Sequence, residues 1–174
     1  MKLALTLAAP KDQAKTAELA EIVAKLNAMY GKGKYCKADG SCMALGDMSS
    51  VMALSRNYDE QLEMWKGWHD TAAPMRPLYM RQVELANEGA RELGYADTGA
   101  LWRSKYDMEA DAFAVELDKQ WTEVKPLYEA LHCHVRAKLS EKYGADKVPL
   151  DKPIPAHLLG NMWAQSWENI YDLV

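Results

Sequence analysis

Phenylalanine all but vanishes from this sequence: one Phe stands against six Trp and nine Tyr. A core packed mainly with plain rings is thereby excluded, and most of the rings present carry a hydrogen-bonding edge that suits a core or a cleft. No apolar run approaches the roughly 18 residues that a bilayer-spanning helix needs, so no transmembrane segment is expected. There is no block of Lys or Arg and the net charge is −4, which argues against nucleic acid as a main partner. Catalytic signatures are missing as well. No His is followed by Glu, so H-E-x-x-H is absent, and neither a Gly-rich phosphate loop, a nucleophile elbow nor Cys-x-x-Cys occurs. Motifs therefore give no catalytic residue and no metal ligand within the chain. Strands have little support, because no alternating segment exceeds about four residues. Without an internal repeat, a low-complexity tract or a linker-like boundary, residues 1–174 read as one helical domain or subdomain, long enough to bury a real core.

What is present is helical almost throughout, and the chain reads as all-α. From Asp12 to Tyr30, Ala, Leu and Ile alternate with Lys and Glu at helical spacing, and "YGKGKYC" stops the pattern. Asn57 is placed to cap a helix carrying Tyr58, Leu62, Trp65 and Trp68 on one side. Met75 to Leu93 reads as another helix, closed by Gly94. From Asp107 the series Leu117, Trp121, Val124, Tyr128, Leu131, Val135, Leu139 sustains steps of three or four, with Pro126 expected to kink or divide it. "YGADKVPLDKPIP" is a connector, and a last helix is expected from His157 to Val174.

Two features invite a chemical reading without settling it. The start "MKLALTLAAP" imitates a secretory signal but is shorter than the usual ~15–30 residues, and reads as a helix or loop start. Cys36 and Cys42 flank "KADGS", with Asp39-Gly40 at its centre, so their side chains can meet. A disulfide and a pair of unpaired thiols both remain open on spacing alone, with Cys133 the odd one out. His132 and His134, two apart on a helix, point about 200° away from each other and cannot share a metal. A site built from Cys36, Cys42 and one of these His stays open as a minor reading.

The expected last helix is more informative. At 100° per residue, Leu159, Met162, Trp163, Trp167, Ile170, Tyr171, Leu173 and Val174 fall on one arc. Asn161, Gln165, Glu168, Asn169 and Asp172 gather opposite, as a solvated face or as the polar wall of a cleft. A chain that becomes more apolar toward its end is unusual for a fraying terminus.

The segment "PIPAHLLGNMWAQSWENIYDLV" resembles a stretch of the angiotensin-converting-enzyme family, the zinc peptidyl-dipeptidases that release dipeptides from peptide C-termini. The resemblance continues through "KPLYEALHCHVRAKLSEKYG", "GYADTGALWRSKYD", "PLYMRQVELANEGAR", "ALSRNYDEQLEMWKGWHD" and "YCKADGSC", nearly the whole chain after the first helix, and is most like the bacterial members. It implies the helical N-terminal part of a larger, predominantly helical zinc-peptidase fold that continues past Val174. The family's H-E-x-x-H helix and downstream Glu ligand follow "NMWAQ", and this sequence ends before either. Zinc is implied for the full-length enzyme, whose zinc-bound water is activated by that Glu, but with no ligand here. The chain alone is expected to be inactive, its partners a peptide substrate and the remainder of the peptidase domain.

Residue by residue, Gln165 matches the family Gln that hydrogen-bonds the substrate's C-terminal carboxylate. Tyr106 in "WRSKYD" matches a Tyr at one chloride site. Cys36 and Cys42 match a family disulfide, which implies an oxidising compartment and a periplasmic or secreted protein. His69 in "GWHD" stands where chloride-activated members carry Arg, replacing a permanent charge by an imidazole, so chloride is carried over only in part. Gly46 stands where several members place an acidic residue, with Asp47 as the neighbouring substitute. The alternative, from another class, is a non-catalytic helical module that binds peptide or protein without the zinc half.

Overall fold

Asn57 starts its helix as its side chain dictates: Oδ1 accepts from the backbone N–H of Asp59 and Glu60 at 3.0 and 3.1 Å. In the computed structural model, which describes residues 6–174, the chain is all-α apart from one short hairpin. The signal-like residues Met1 to Leu5 lie outside the described part. In chain order the elements are α1 (Gln13–Gly31), β1 (Lys34–Cys36), β2 (Cys42–Ala44), α2 (Leu45–Leu54) and α3 (Tyr58–Asp70). They continue with α4 (Arg76–Glu92), α5 (Thr98–Arg103) and α6 (Ala110–Tyr143), and 3-10 turns follow at Ala156–Leu158 and Trp167–Leu173. The chain divides into two compact units, one of residues 1–31 and 74–123, the other of residues 32–73 and 124–174.

In the first unit, Leu19, Ile22 and Leu26, spaced three and four apart on α1, bury against Leu85 of α4. Arg81 of α4 forks onto Glu18 of α1, with Nε and Nη2 donating at 2.7 and 2.9 Å, and Lys15 reaches Glu88 at 2.6 Å. These pairs are solvated and fix register more than they add stability. A second cluster joins Ala8, Ala90 and Leu101.

In the second unit, Met48 and Met52 of α2, Met64 and Trp68 of α3, and Met162 form one buried cluster. Flexible thioethers fill irregular gaps around an indole better than branched side chains do. Val135 and Leu139 of α6 bury with Val148, Ile154, Leu158, Leu159 and Ile170 in another.

Four expectations need correction. β1 and β2 pair antiparallel with Cys36 opposite Cys42, and strands of three residues are too short to show an alternating pattern. α2 went unread, since its N-cap is Ala44 and its start is held instead by Asp47, whose Oδ2 accepts from Ala44 N–H at 3.2 Å. α6 runs on through Pro126 undivided, which rules out the division, one of the two expected effects of the proline. Residues 121–131 are all exposed, so solvent can satisfy the carbonyl that the proline leaves unbonded. The fourth is the largest: His157 to Val174 is no α-helix but two 3-10 turns joined by a loop. Gly160 has φ +83 and Ala164 φ +58, backbone that a right-handed helix cannot contain. The helical arc therefore dissolves. Met162 and Ile170 are buried while Tyr171 is 83% exposed.

Cys36 and Cys42 are bridged, with Cα atoms 4.0 Å apart, and Cys133 is free and exposed. Closing so short a loop contributes roughly 2 kcal/mol on the chain-entropy estimate. The double replacement Cys36→Ser/Cys42→Ser should lower the urea-unfolding free energy by about that amount, and non-reduced peptide mapping of the native chain should recover Cys133 alone as an alkylatable thiol. At Gly160 an added Cβ would overlap the backbone carbonyl oxygen of Ser166, whereas at Gly94, also at positive φ, it meets open space. Gly160→Ala should therefore cost more than about 2 kcal/mol and Gly94→Ala only about 1, measured by the same denaturation.

Candidate functional site

Between the two terminal 3-10 turns, polar side chains do the work that a helical backbone would otherwise do. Asn161 Oδ1 accepts from the N–H of Trp163 at 3.1 Å and of Gln165 at 2.9 Å, while its Nδ2 donates to Ser166 Oγ at 2.8 Å. Asn side chains compete with the helix ladder in this way and hold turns. Asn169 Nδ2 donates to the Gly160 carbonyl at 3.0 Å and closes the loop at its base. Trp167 Nε1 donates to the Ala164 carbonyl at 3.0 Å. Met162, fully buried, plugs the loop into the methionine–Trp68 cluster, a burial worth about 1.5–3 kcal/mol. Trp163 and Gln165 are left exposed on the loop.

Arg56, in the connection between α2 and α3, ties down the far end of the same segment. Its Nη2 donates to Asp172 Oδ1 at 2.7 Å and to the Asn169 carbonyl at 2.8 Å, and Nη1 reaches the carbonyls of Ala53 and Ser55. The guanidinium holds the Asp172 carboxyl below its usual range. His134 Nε2 lies 3.2 Å from the Val174 carbonyl. The Gln165 loop is thus fixed at its base, its plug and its far end, and presents an amide with two N–H donors and one acceptor to solvent.

The other residues singled out in the sequence are placed as follows. His69, in the last turn of α3, sets Nδ1 at 2.7 Å from the Trp65 carbonyl, which can only accept, so Nδ1 carries the proton. Its ring lies 4.1 Å from the Trp65 ring. Tyr106 belongs to the first unit, after α5, and stacks on Phe113 at 4.2 Å. His69 and Gln165 share the second unit, but no hydrogen bond or ring contact among the described residues joins them. Gly46 is exposed, and Asp47 is committed to the start of α2. Asn161, which builds the loop, is read in the sequence only as part of the polar stripe, and Arg56, which fastens it, is not singled out there. A Gly-Asn pair is a loop signal and could have marked the first.

The residues present do not fit a zinc ion. Cys36 and Cys42 are consumed by their disulfide, which overturns a metal site using their thiolates. His132 Nδ1 accepts from Arg136 Nη2 at 3.0 Å, and His157 is buried in an apolar cluster's edge. Among the described residues no three His, Cys, Asp or Glu converge on one point. No helix among them is long and apolar enough to cross a membrane.

The sequence profile of the angiotensin-converting enzyme family matches residues 1–174. The angiotensin-converting enzyme of Rattus norvegicus is 43% identical over 159 residues, covering 90% of this chain, and that of Mesocricetus auratus is 45% identical over the same length and share. The chain spans 12% of the length of each of these relatives. With its helical fold, its disulfide and a family match along its whole length, the chain belongs to the angiotensin-converting enzyme family of peptidases.

Proposed function

We propose that this chain is part of a zinc peptidyl-dipeptidase, a carboxypeptidase-like enzyme that releases dipeptides from peptide C-termini, and that it supplies cleft wall and C-terminus recognition. The supporting observation is the exposed Gln165 amide, held by the Asn161 loop, in a chain of this family. A neutral N–H donor binds a terminal carboxylate without adding a charge of its own. Fixing that carboxylate sets how far the scissile bond lies from it, which defines a dipeptide product. This is positioning work, and no residue described here breaks a bond. Zinc would supply Lewis-acid activation of water in the complete enzyme and would be held by residues other than these.

Tyr106 and His69 occupy the positions that correspond to chloride-site residues. With an imidazole already engaged with Trp65 in place of a guanidinium, we propose a weakened chloride dependence. The Cys36–Cys42 bridge supports a protein exported to an oxidising compartment, periplasmic or secreted.

In the complete peptidase, Gln165→Ala should lower kcat/KM for peptides with a free C-terminus by roughly 10- to 150-fold, the loss of one hydrogen bond to a charged group at about 1.5–3 kcal/mol. Amidated peptides should lose far less, and zinc content should stay unchanged. An equal loss below about 0.5 kcal/mol on both substrates removes Gln165 from the site.

A further inference from the structure

Among the described residues His157 is the one ionisable side chain that is buried, at 4% exposure, and its Nε2 has no hydrogen-bond partner there. It sits in the turn Ala156–Leu158, directly before Leu158 and Leu159 of the α6 cluster. Its ring stands edge-on to Tyr58, the first residue of α3, with centroids 4.5 Å apart and planes at 82°. Tyr58 in turn packs against Tyr143 of α6, and Lys147 Nζ lies 4.5 Å over its ring. This contact is where the C-terminal segment enters its packing against α3.

The charges around the imidazole give an added proton no home. Lys66 on α3 opposes a positive imidazole and Asp59 favours it, but Asp59 also has Lys147 Nζ at 4.0 Å. The Tyr58 ring that His157 touches is itself faced by the Tyr143 phenol of α6 and by Lys147 and Asp146 of the loop after it. Among the described residues no carboxylate hydrogen-bonds the ring. A neutral imidazole with one bare nitrogen is tolerated there at the cost of an unmade bond, whereas an imidazolium would be a buried, unpaired cation.

We propose that the His157–Tyr58 contact is an acid-released latch, and that protonation of this buried imidazole undocks residues 156–174, with the Gln165 loop, from α3. The latch stands whether or not Gln165 grips a carboxylate. Burial first, then Lys66, lowers the His157 pKa from 6.5 to about 4. A folded-state value below the undocked value means that the undocked form binds the proton first. Docking is then at full strength above pH 6.5, weakens as pH falls from 6.5 toward 4, and changes no further below that. The Arg56–Asp172 pair holds the same segment, and the guanidinium keeps its carboxyl below the usual carboxylate range, so the pair gives way only in stronger acid.

Hydrogen exchange on the full 174-residue chain, read by mass spectrometry and corrected for intrinsic rate, tests the latch. Protection of amides 158–174 should fall about twenty-fold between pH 7 and pH 5, while that of α1 and α4 stays level. His157→Leu, which takes up no proton, should keep its protection at pH 5. Equal protection at both pH values in the native chain, or the same fall in His157→Leu, overturns the proposal. Should that variant fail to fold, NMR of the native chain decides: a neutral His157 ring at pH 5 in the docked state supports the latch, and a protonated one overturns it.

Discussion

Asn161 Oδ1 accepts from the backbone N–H of both Trp163 and Gln165, and these two bonds set the course of the terminal loop. With that carbonyl in place, and Asn161 Nδ2 on Ser166, a loop replaces the expected helix and the backbone turns through positive φ at Gly160 and Ala164. Everything distinctive about the end of the chain depends on this arrangement. It sends Met162 inward and leaves Trp163 and Gln165 outside. An α-helix would have spread the same residues around a cylinder, with Gln165 one turn beyond Asn161 on a shared face and no fixed approach to a ligand.

The loop gains its rigidity from two separate cores of the second unit. Met162 belongs to the cluster of α2 and α3 methionines, whereas Leu158, Leu159 and Ile170, on either side of it, belong to the cluster built on α6. Arg56 adds a third tie to Asp172 and to the Asn169 carbonyl. A recognition amide needs such support, because a side chain that must be ordered on binding loses much of what its hydrogen bond contributes.

The long helices were legible because their apolar spacing is redundant: Leu19, Ile22 and Leu26 announce α1 several times over. The Asn57 cap was legible because one residue type does one local job. The terminal segment was not, because steps of three and four among Met162, Trp163, Trp167 and Ile170 fit both an amphipathic helix and a compact loop plugged into two cores. Gly160 and Asn161 carried the deciding information in only two positions, and a periodicity summed over eighteen residues outweighed them. The disulfide partners were legible as neighbours across a turn, and became a pair through family resemblance. The burial of His157 was invisible, since its surroundings come from α3 and α6, about a hundred and about twenty residues away in sequence.

If Asn161 acts by presenting Gln165, the two residues form one functional unit, and a double-mutant cycle in the complete peptidase measures that directly. Substrates with a free C-terminus should lose about as much kcat/KM in Asn161→Ala as in Gln165→Ala, and the double variant should lose no more than the worse single one. Losses that multiply, with each residue acting as though the other were still in place, would contradict the account.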